Sequence, residues 1–154
     1  MTDQQVKPMF VADHMLGSLA KWLRMIGYDT VYDKNLDDKG IAASARAESR
    51  FVLTRDKELA KEPGALFVES DDLDAQLAAV KAKFGLMFDE SAIRCTSCNG
   101  GLVEVPKEQA KESVPEGAFA ANDKFWKCAG CGKVYWRGSH WLGIMERLKK
   151  LNLV

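Results

Sequence analysis

Hydrophobic positions along the chain follow two spacings, which together predict strands that alternate with helices. Short apolar runs, typical of buried strands, occupy positions 9–12, 30–32, 51–53 and 65–68. Apolar residues at helical spacing lie between or after these runs, at positions 16–26, 41–45 and 73–84. Strands that alternate with helices predict an α/β fold, in which a parallel sheet is covered by helices on both faces.

The pattern changes after residue 93, and this change predicts two domains, an α/β domain over 1–93 and a smaller domain over 94–154. In the second domain, a polar stretch at 106–117 predicts a loop. A final helix is expected after Ser139, because four apolar residues then share one helical face: Trp141, Ile144, Met145 and Leu148.

Two C-x-x-C pairs in the second domain, each followed by glycine within two residues, predict one zinc site. The four ligands are Cys95, Cys98, Cys128 and Cys131. Four thiolates complete the coordination of Zn²⁺ and leave no position for a reacting water, so the predicted site is structural. A redox-active dithiol would explain one pair but not two pairs with matching flanks. We expect metal binding and folding of this domain to be coupled, because it is too small to hold a core alone.

Composition and charge narrow the function classes. The 154 residues are 47% hydrophobic and carry a formal net charge of zero, so the whole chain does not have the charge of a polyanion binder. Residues 1–93 contain 12 Lys/Arg and 16 Asp/Glu, whereas residues 94–154 contain 10 and 6. This asymmetry indicates an acidic site joined to a basic arm. No apolar run approaches the roughly 20 residues of a membrane span, and the first residues lack a signal-peptide layout, so we expect a cytoplasmic protein.

Acidic residues follow the predicted strands, where parallel sheets bind ligands at the carboxyl ends of their strands. Asp13, Asp38 and Asp56 would converge if the first and third strands are neighbours, and Mg²⁺ or Mn²⁺ prefers such oxygen ligands. The alternative is that each acid caps a helix. Asp38 fits that alternative less well, because Asp37 already occupies the capping position.

The combination of motifs resembles the PIN-like ribonuclease family named for the C-terminal domain of the Mut-seven exonuclease. The similar segments span positions 9–145 and are Val-Ala-Asp-His-Met-Leu-Gly at 11–17, Leu-Ala-Lys-Trp-Leu-Arg at 19–24, Gly-Tyr-Asp at 27–29, Thr-Arg-Asp at 54–56 and the paired cysteine motifs ending in Tyr-Trp-Arg-Gly-Ser-His at 135–140. The resemblance implies a metal-dependent, RNA-cleaving PIN-like domain followed by a zinc ribbon.

The resemblance also implies roles for individual residues. Asp13, Asp38 and Asp56 would hold the catalytic Mg²⁺ or Mn²⁺, and the Thr54 hydroxyl would support them. A PIN domain usually offers a fourth acid on an intervening helix that is missing from this chain. Asp37 or Asp33 is the candidate substitute.

Cations and aromatic residues are the expected RNA contacts, because cations position phosphates and aromatic rings stack on unpaired bases. They are Lys21 and Arg24 on the polar face of the first helix, Arg55, and Trp136, Arg137 and His140 in the ribbon. The alternatives are a solvated helix face and ribbon aromatics that pack against the α/β domain.

These observations favour a metal-dependent endoribonuclease, with RNA as substrate and a ribosome or protein partner for the ribbon. The alternative is a non-catalytic RNA-binding or ribosome-associated adaptor with the same fold.

Overall fold

A computed structural model describes residues 6–154, and its first layer is a four-stranded parallel sheet. The strands are β1 (Phe10–Ala12), β2 (Thr30–Tyr32), β3 (Phe51–Thr54) and β4 (Leu66–Phe67). Their order is β2-β1-β3-β4, so β1 and β3 are neighbours. The predicted strands are confirmed with boundaries that differ by one or two residues.

Side chains of the strands alternate between two hydrophobic cores, as the period of two in a strand requires. Phe10 and Ala12 pack on one face with α1 (Gly17–Met25) and α3 (Leu73–Phe84), whereas Val11 packs on the other face with α2 (Asp38–Glu48). Helices therefore cover both faces, and the predicted α/β fold is confirmed.

Helix ends are set by local hydrogen bonds. Asp37 and Asp72 accept hydrogen bonds from backbone N–H groups of α2 and α3 at 2.8 and 3.0 Å and form their N-caps. After α1 the chain turns at Gly27, which has φ of +108°. A Cβ there would lie 3.0 Å from the carbonyl oxygen of Asp89, so this turn requires glycine.

A second sheet has three antiparallel strands, β5 (Leu102–Val105), β6 (Phe125–Cys128) and β7 (Val134–Tyr135). We call the part of the fold that contains this sheet and the four cysteines the ribbon. The segment predicted as a loop, 106–117, contains one short helix, α4 (Lys107–Ala110), and the start of a second, α5 (Glu116–Ala121), so that prediction is wrong. The reason is packing: Ala110 is buried, and the ring of Phe119 in α5 stacks on buried Phe125 at 6.1 Å.

The last helix, α6 (His140–Lys150), packs against the core of the first layer. Leu148 and the following Leu153 are fully buried there, and Ile144 and Met145 pack beside them. The predicted apolar face of this helix is confirmed. In residues 6–154 there is no helix with the length and apolar character needed to span a membrane.

Candidate active site and metal centre

The carboxyl ends of β1 and β3 form the edge of the sheet where ligands are expected. The chain leaves β1 towards the face that α1 covers, but leaves β3 towards the opposite face, where Leu59 is buried. Adjacent strands that diverge in this way create a crevice at their carboxyl ends. Asp13 follows β1 directly, Thr54 ends β3, and Asp56 comes two residues later. We call this group the carboxyl edge.

Asp13 is held rigidly by neutral donors. Its side chain is 2% exposed and accepts hydrogen bonds from the Met15 N–H (2.8 Å), the Thr54 hydroxyl (2.6 Å) and the Arg55 N–H (2.8 Å). Thr54 Oγ1 also accepts a hydrogen bond from the Asp56 N–H at 2.9 Å. The carboxylate is therefore fixed in direction while its negative charge has no cation beside it.

The other acids lie at the exposed starts of helical turns. Asp56 Oδ1 accepts from the N–H groups of Glu58 (2.8 Å) and Leu59 (3.2 Å), so Asp56 caps a turn. Asp37 caps α2, and Asp38 lies exposed in the first turn of that helix. Capping and metal binding remain compatible, because each capping carboxylate uses only one oxygen.

These acids do not form a preassembled ligand cluster. Within residues 6–154, only the four cysteines bring three or more potential ligand atoms within 4.8 Å of one another. No ion pair in the same residues involves Asp13, Asp37, Asp38 or Asp56. A cation at the carboxyl edge would therefore meet carboxylates that have no ion-pair partner in these residues, and water would complete its coordination.

The four cysteine sulfur atoms lie within 4.8 Å of one another, close enough to bind one metal ion. Cys95 and Cys131 sulfurs are 3.7 Å apart, and Cys98 and Cys128 sulfurs are 3.4 Å apart. Zinc–sulfur bonds of about 2.3 Å in a tetrahedron put sulfur atoms about 3.8 Å from each other. The cysteine cluster therefore fits a metal such as zinc.

The turns around the cysteines are built for closely spaced sulfur atoms. A Cβ at Gly100 would lie 2.7 Å from the Cys128 sulfur, so only glycine fits there. The Cys128 sulfur also lies 3.3 and 3.4 Å from the N–H groups of Gly130 and Cys131. Such hydrogen bonds stabilise a thiolate.

Hydrogen bonds also prepare the thiols for a metal. Burial raises the pKa of Cys95, but hydrogen bonds from Tyr135 and the Cys98 N–H outweigh this effect, and the pKa falls to about 6. The hydrogen bond with Cys128 raises the pKa of Cys98 to about 11, because one proton is held between the two sulfurs. A bound metal displaces such a proton.

The predicted cations of the α/β layer lie in different environments. Lys21 is exposed on α1. Arg55 is half-buried beside the carboxyl edge; its Nη2 donates to the Glu69 carbonyl at 3.3 Å, and its buried Nε has no partner among residues 6–154. Arg24 is only 4% exposed, so its assignment to an accessible helix face is wrong.

Arg24 instead joins the ribbon that carries the cysteines to the α/β layer. Its Nε donates to the Thr30 carbonyl and its Nη1 to the Thr96 carbonyl, both at 2.8 Å. Burial lowers the pKa of Arg24, while the nearby Cys95 and Cys98 thiolates act in the opposite direction. The sequence showed only a helical position between Leu23 and Met25, because the partner Thr96 lies 72 residues away.

A second group of residues that joins the ribbon to the parallel sheet was not predicted from the sequence. Asp29 accepts hydrogen bonds from Arg50 (2.8 Å) and Asn99 (2.6 Å), and Arg94 lies 3.7 Å away. Asn99 also accepts a hydrogen bond from the Thr30 N–H at 3.0 Å. Burial raises the pKa of Asp29, but the hydrogen bonds from Arg50 and Asn99 outweigh it and lower the pKa. This group lies where the strands begin, and we call it the amino edge.

The three RNA contacts predicted in the ribbon lie together. Trp136, Arg137 and His140 all line one cavity of about 310 Å³ between the ribbon, α6 and the end of α1. Arg137 pairs with Glu90 inside it. The structure thus brings these residues to one place, which is on the amino-edge side of the fold and separate from the carboxylates.

The family model described as "Mut7-C RNAse domain" matches residues 8–148 of the chain. A comparison with curated proteins and a comparison with solved structures gave no match. The matched range includes the carboxyl edge, all four cysteines and most of α6.

Proposed function

The chain belongs to the Mut7-C RNAse domain family, and on that basis we propose that it is a metal-dependent endoribonuclease. It would hydrolyse phosphodiester bonds of RNA at the carboxyl edge, with Mg²⁺ or Mn²⁺ as cofactor. The observation that carries the proposal is the buried Asp13 carboxylate. It lies in the crevice at the carboxyl ends of β1 and β3 and, among the described residues, accepts hydrogen bonds only from neutral donors.

The uncompensated charge of Asp13 is the reason to expect a cation. Three neutral donors orient the buried Asp13 carboxylate, but they do not neutralise its charge. Elsewhere in the described residues a comparable carboxylate, Asp29, has an arginine partner. A divalent cation at the carboxyl edge would supply the missing positive charge, and it prefers oxygen ligands.

We assign the ligands to Asp13, Asp38 and Asp56, and Asp37 is the candidate for the fourth acid. Thr54 is a positioning residue, because its hydroxyl donates to Asp13 and accepts from the Asp56 N–H. The chemistry that a bound ion supplies is activation of the attacking water and stabilisation of negative charge on the phosphodiester.

Phosphate binding near the cleavage position would fall to Arg55, which adjoins Asp56. The unpartnered Nε of Arg55 supports this role, because a buried donor without an acceptor costs free energy that a phosphate oxygen would restore. Exposed Lys21 on α1 is the second candidate. Arg24 is not included, since both of its bonded nitrogens are used by ribbon and strand carbonyls.

Zn²⁺ in the cysteine cluster would have a structural role. Four thiolates leave no coordination position for water or substrate, and the cluster holds the turns that contact Arg24 and Asp29. The zinc ribbon would thereby fix the cavity that contains Trp136, Arg137 and His140, which we propose as RNA contacts.

The test is cleavage of several single-stranded RNAs after chelation and stepwise return of metals. We expect cleavage to stop with EDTA and to return with Mn²⁺ or Mg²⁺ once Zn²⁺ has been restored, whereas Zn²⁺ alone restores folding without cleavage. Cleavage that persists in EDTA would contradict the metal dependence. RNA binding without cleavage under any metal condition would instead favour a non-catalytic RNA-binding or ribosome-associated adaptor.

A further inference from the structure

The cavity between the ribbon and α6 is lined by four large aromatic side chains among aliphatic and polar residues, and we call it the aromatic cavity. Trp126, Tyr135, Trp136 and Trp141 line it, and its volume is about 310 Å³. Cavities that hold small ligands have volumes of about 300–1,000 Å³ and combine apolar walls with a few polar groups. The aromatic cavity is therefore suited to one small planar group rather than to a long apolar chain.

In one wall of the aromatic cavity, the side chain of Arg137 already lies between two tryptophan rings. The Arg137 guanidinium lies 5.1 Å from the Trp126 ring centre and 4.8 Å from that of Trp141. It also pairs with Glu90, so its position is fixed from three directions. Arg137 thereby covers one face of each of these rings, whereas Trp136, which also lines the aromatic cavity, has no cation over its ring within residues 6–154 and can stack on a neutral planar group.

The excess of basic residues in the part of the chain that supplies most of the aromatic cavity favours an anionic polymer. Residues 94–154 contain 10 Lys/Arg against 6 Asp/Glu, and Lys127 and Lys133 are exposed on the same ribbon. A neutral planar group that is attached to a polyanion is a nucleotide of single-stranded nucleic acid. Because the family match points to RNA, the fitting occupant is an unpaired RNA base.

The aromatic cavity is distant from the carboxyl edge. It includes Met25 at the end of α1, whereas Asp13 precedes the turn His14–Leu16 that leads into that helix. The nine residues of α1, at about 1.5 Å each, alone span about 14 Å. An unpaired strand must therefore continue for more than one nucleotide to reach from one site to the other.

We propose that the aromatic cavity binds one unpaired base of the RNA substrate at a distance of a few nucleotides from the bond that is cleaved. This inference rests on the proposed function for its substrate class and adds a second contact point to it. An anchored base would set where cleavage occurs, and it would exclude duplex RNA, whose bases are not free to enter. RNAs too short to span both sites would lose the contribution of the aromatic cavity.

The test measures binding without Mg²⁺ or Mn²⁺, so that it does not depend on cleavage. The probe is a 12-nucleotide single-stranded RNA with one 2-aminopurine, whose fluorescence reports stacking, placed at each position in turn. We expect Trp136→Ala to weaken binding roughly tenfold and to remove the stacking signal, because one base–aromatic stack is worth about 1–3 kcal/mol. Trp136→Phe should retain most of both.

The matched control is Trp22→Ala, which removes another tryptophan that stacks on an arginine, Arg147 at 5.1 Å, outside the aromatic cavity. This control should bind RNA like the wild type. Zinc content and melting temperature identify a variant that has lost its fold. If Trp136→Ala has done so, the comparison is made with Trp136→Phe and with His140→Ala, which changes an exposed residue of the aromatic cavity.

The outcomes separate this inference from the proposed function. Equal RNA binding by Trp136→Ala and the wild type would overturn the base site even if the wild type cleaves RNA. An equal effect of Trp136→Ala on duplex RNA would overturn it as well. Loss of single-strand binding in Trp136→Ala together with an absence of cleavage by the wild type would retain the base site and reject the nuclease.

Discussion

The amino edge and the carboxyl edge of the parallel sheet use charge in opposite ways. At the amino edge, Asp29 is paired with Arg50, and buried Arg24 donates to two carbonyls. At the carboxyl edge, Asp13 is more deeply buried than Asp29 but accepts hydrogen bonds only from uncharged N–H and O–H groups. The same sheet thus offers one edge whose charges are satisfied within the chain and one whose charge is not.

The difference shows how to separate structural from functional acids. Carboxylates that hold two parts of a fold together are compensated by the protein, because an unpaired buried charge destabilises it. A carboxylate that binds a cation must be oriented by the protein without having its charge neutralised. Asp13 meets this requirement, because its three donors are neutral. The acids of the carboxyl edge accordingly should matter for activity, and those of the amino edge for stability.

The largest expected effect comes from breaking the zinc site that supports the amino edge. Cys128→Ser should lose the metal and unfold residues 94–140, because four-thiolate sites supply much of the folding free energy of small zinc modules. Hydrogen exchange should show lost protection in the ribbon and retained protection in the parallel sheet. Metal analysis should find one zinc per wild-type chain. Retained ribbon protection in this variant would contradict the single shared site.

Arg24→Met removes the charged donor that joins α1 to the ribbon. We expect the free energy of unfolding to fall by about 3 kcal/mol, because the carbonyls of Thr30 and Thr96 lose charge-assisted hydrogen bonds in a buried place. Denaturant titration measures this change. The control is Lys21→Met on the exposed face of the same helix, for which a change within about 0.5 kcal/mol is expected. Equal effects would show that Arg24 has no docking role.

Asp29→Asn should lower stability by about 1.5 kcal/mol at pH 7, because a hydrogen-bonded charge pair with Arg50 is lost. The pKa of Asp29 is lowered in the folded protein, so this contribution is present above the unfolded pKa of about 4 and disappears as pH falls through the folded pKa. The difference between wild type and variant should therefore shrink below about pH 4. Removing the exposed pair through Arg46→Ala should cost less than about 1 kcal/mol.

Several features of the fold could be predicted from the sequence because their causes are local. Three features depend only on residues that are close in sequence. They are the alternation in β1, the capping position of Asp37, and the helical spacing of Leu73, Leu77, Val80 and Phe84 in α3. The cysteine pairs could be matched with each other because zinc chemistry demands four ligands. The resemblance to a family then predicted which acids share an edge.

The features that sequence reasoning missed depend on contacts between distant residues. Arg24 has the spacing of an exposed residue, and only the ribbon that covers it makes it buried. The Asp29–Asn99 hydrogen bond joins residues 70 positions apart. The polar segment at 106–117 contains α4 and the start of α5, because Ala110 of the first helix is buried and Phe119 of the second stacks on buried Phe125.

Asp56→Asn should have the smallest effect on stability and the largest on chemistry, so it tests the central claim most directly. Asn caps a turn about as well as Asp, but it lacks the charge that a hard cation requires. The control is Asp72→Asn, an exposed N-cap that accepts from the Ala75 N–H at 3.0 Å and has no proposed catalytic role.

The measurement is Mn²⁺-dependent cleavage of single-stranded RNA by the two variants, together with their denaturant midpoints. We predict wild-type midpoints for both, cleavage by Asp72→Asn at the wild-type rate, and no detectable cleavage by Asp56→Asn. Cleavage by Asp56→Asn at the wild-type rate would contradict the account, because Asp56 would then be only a cap.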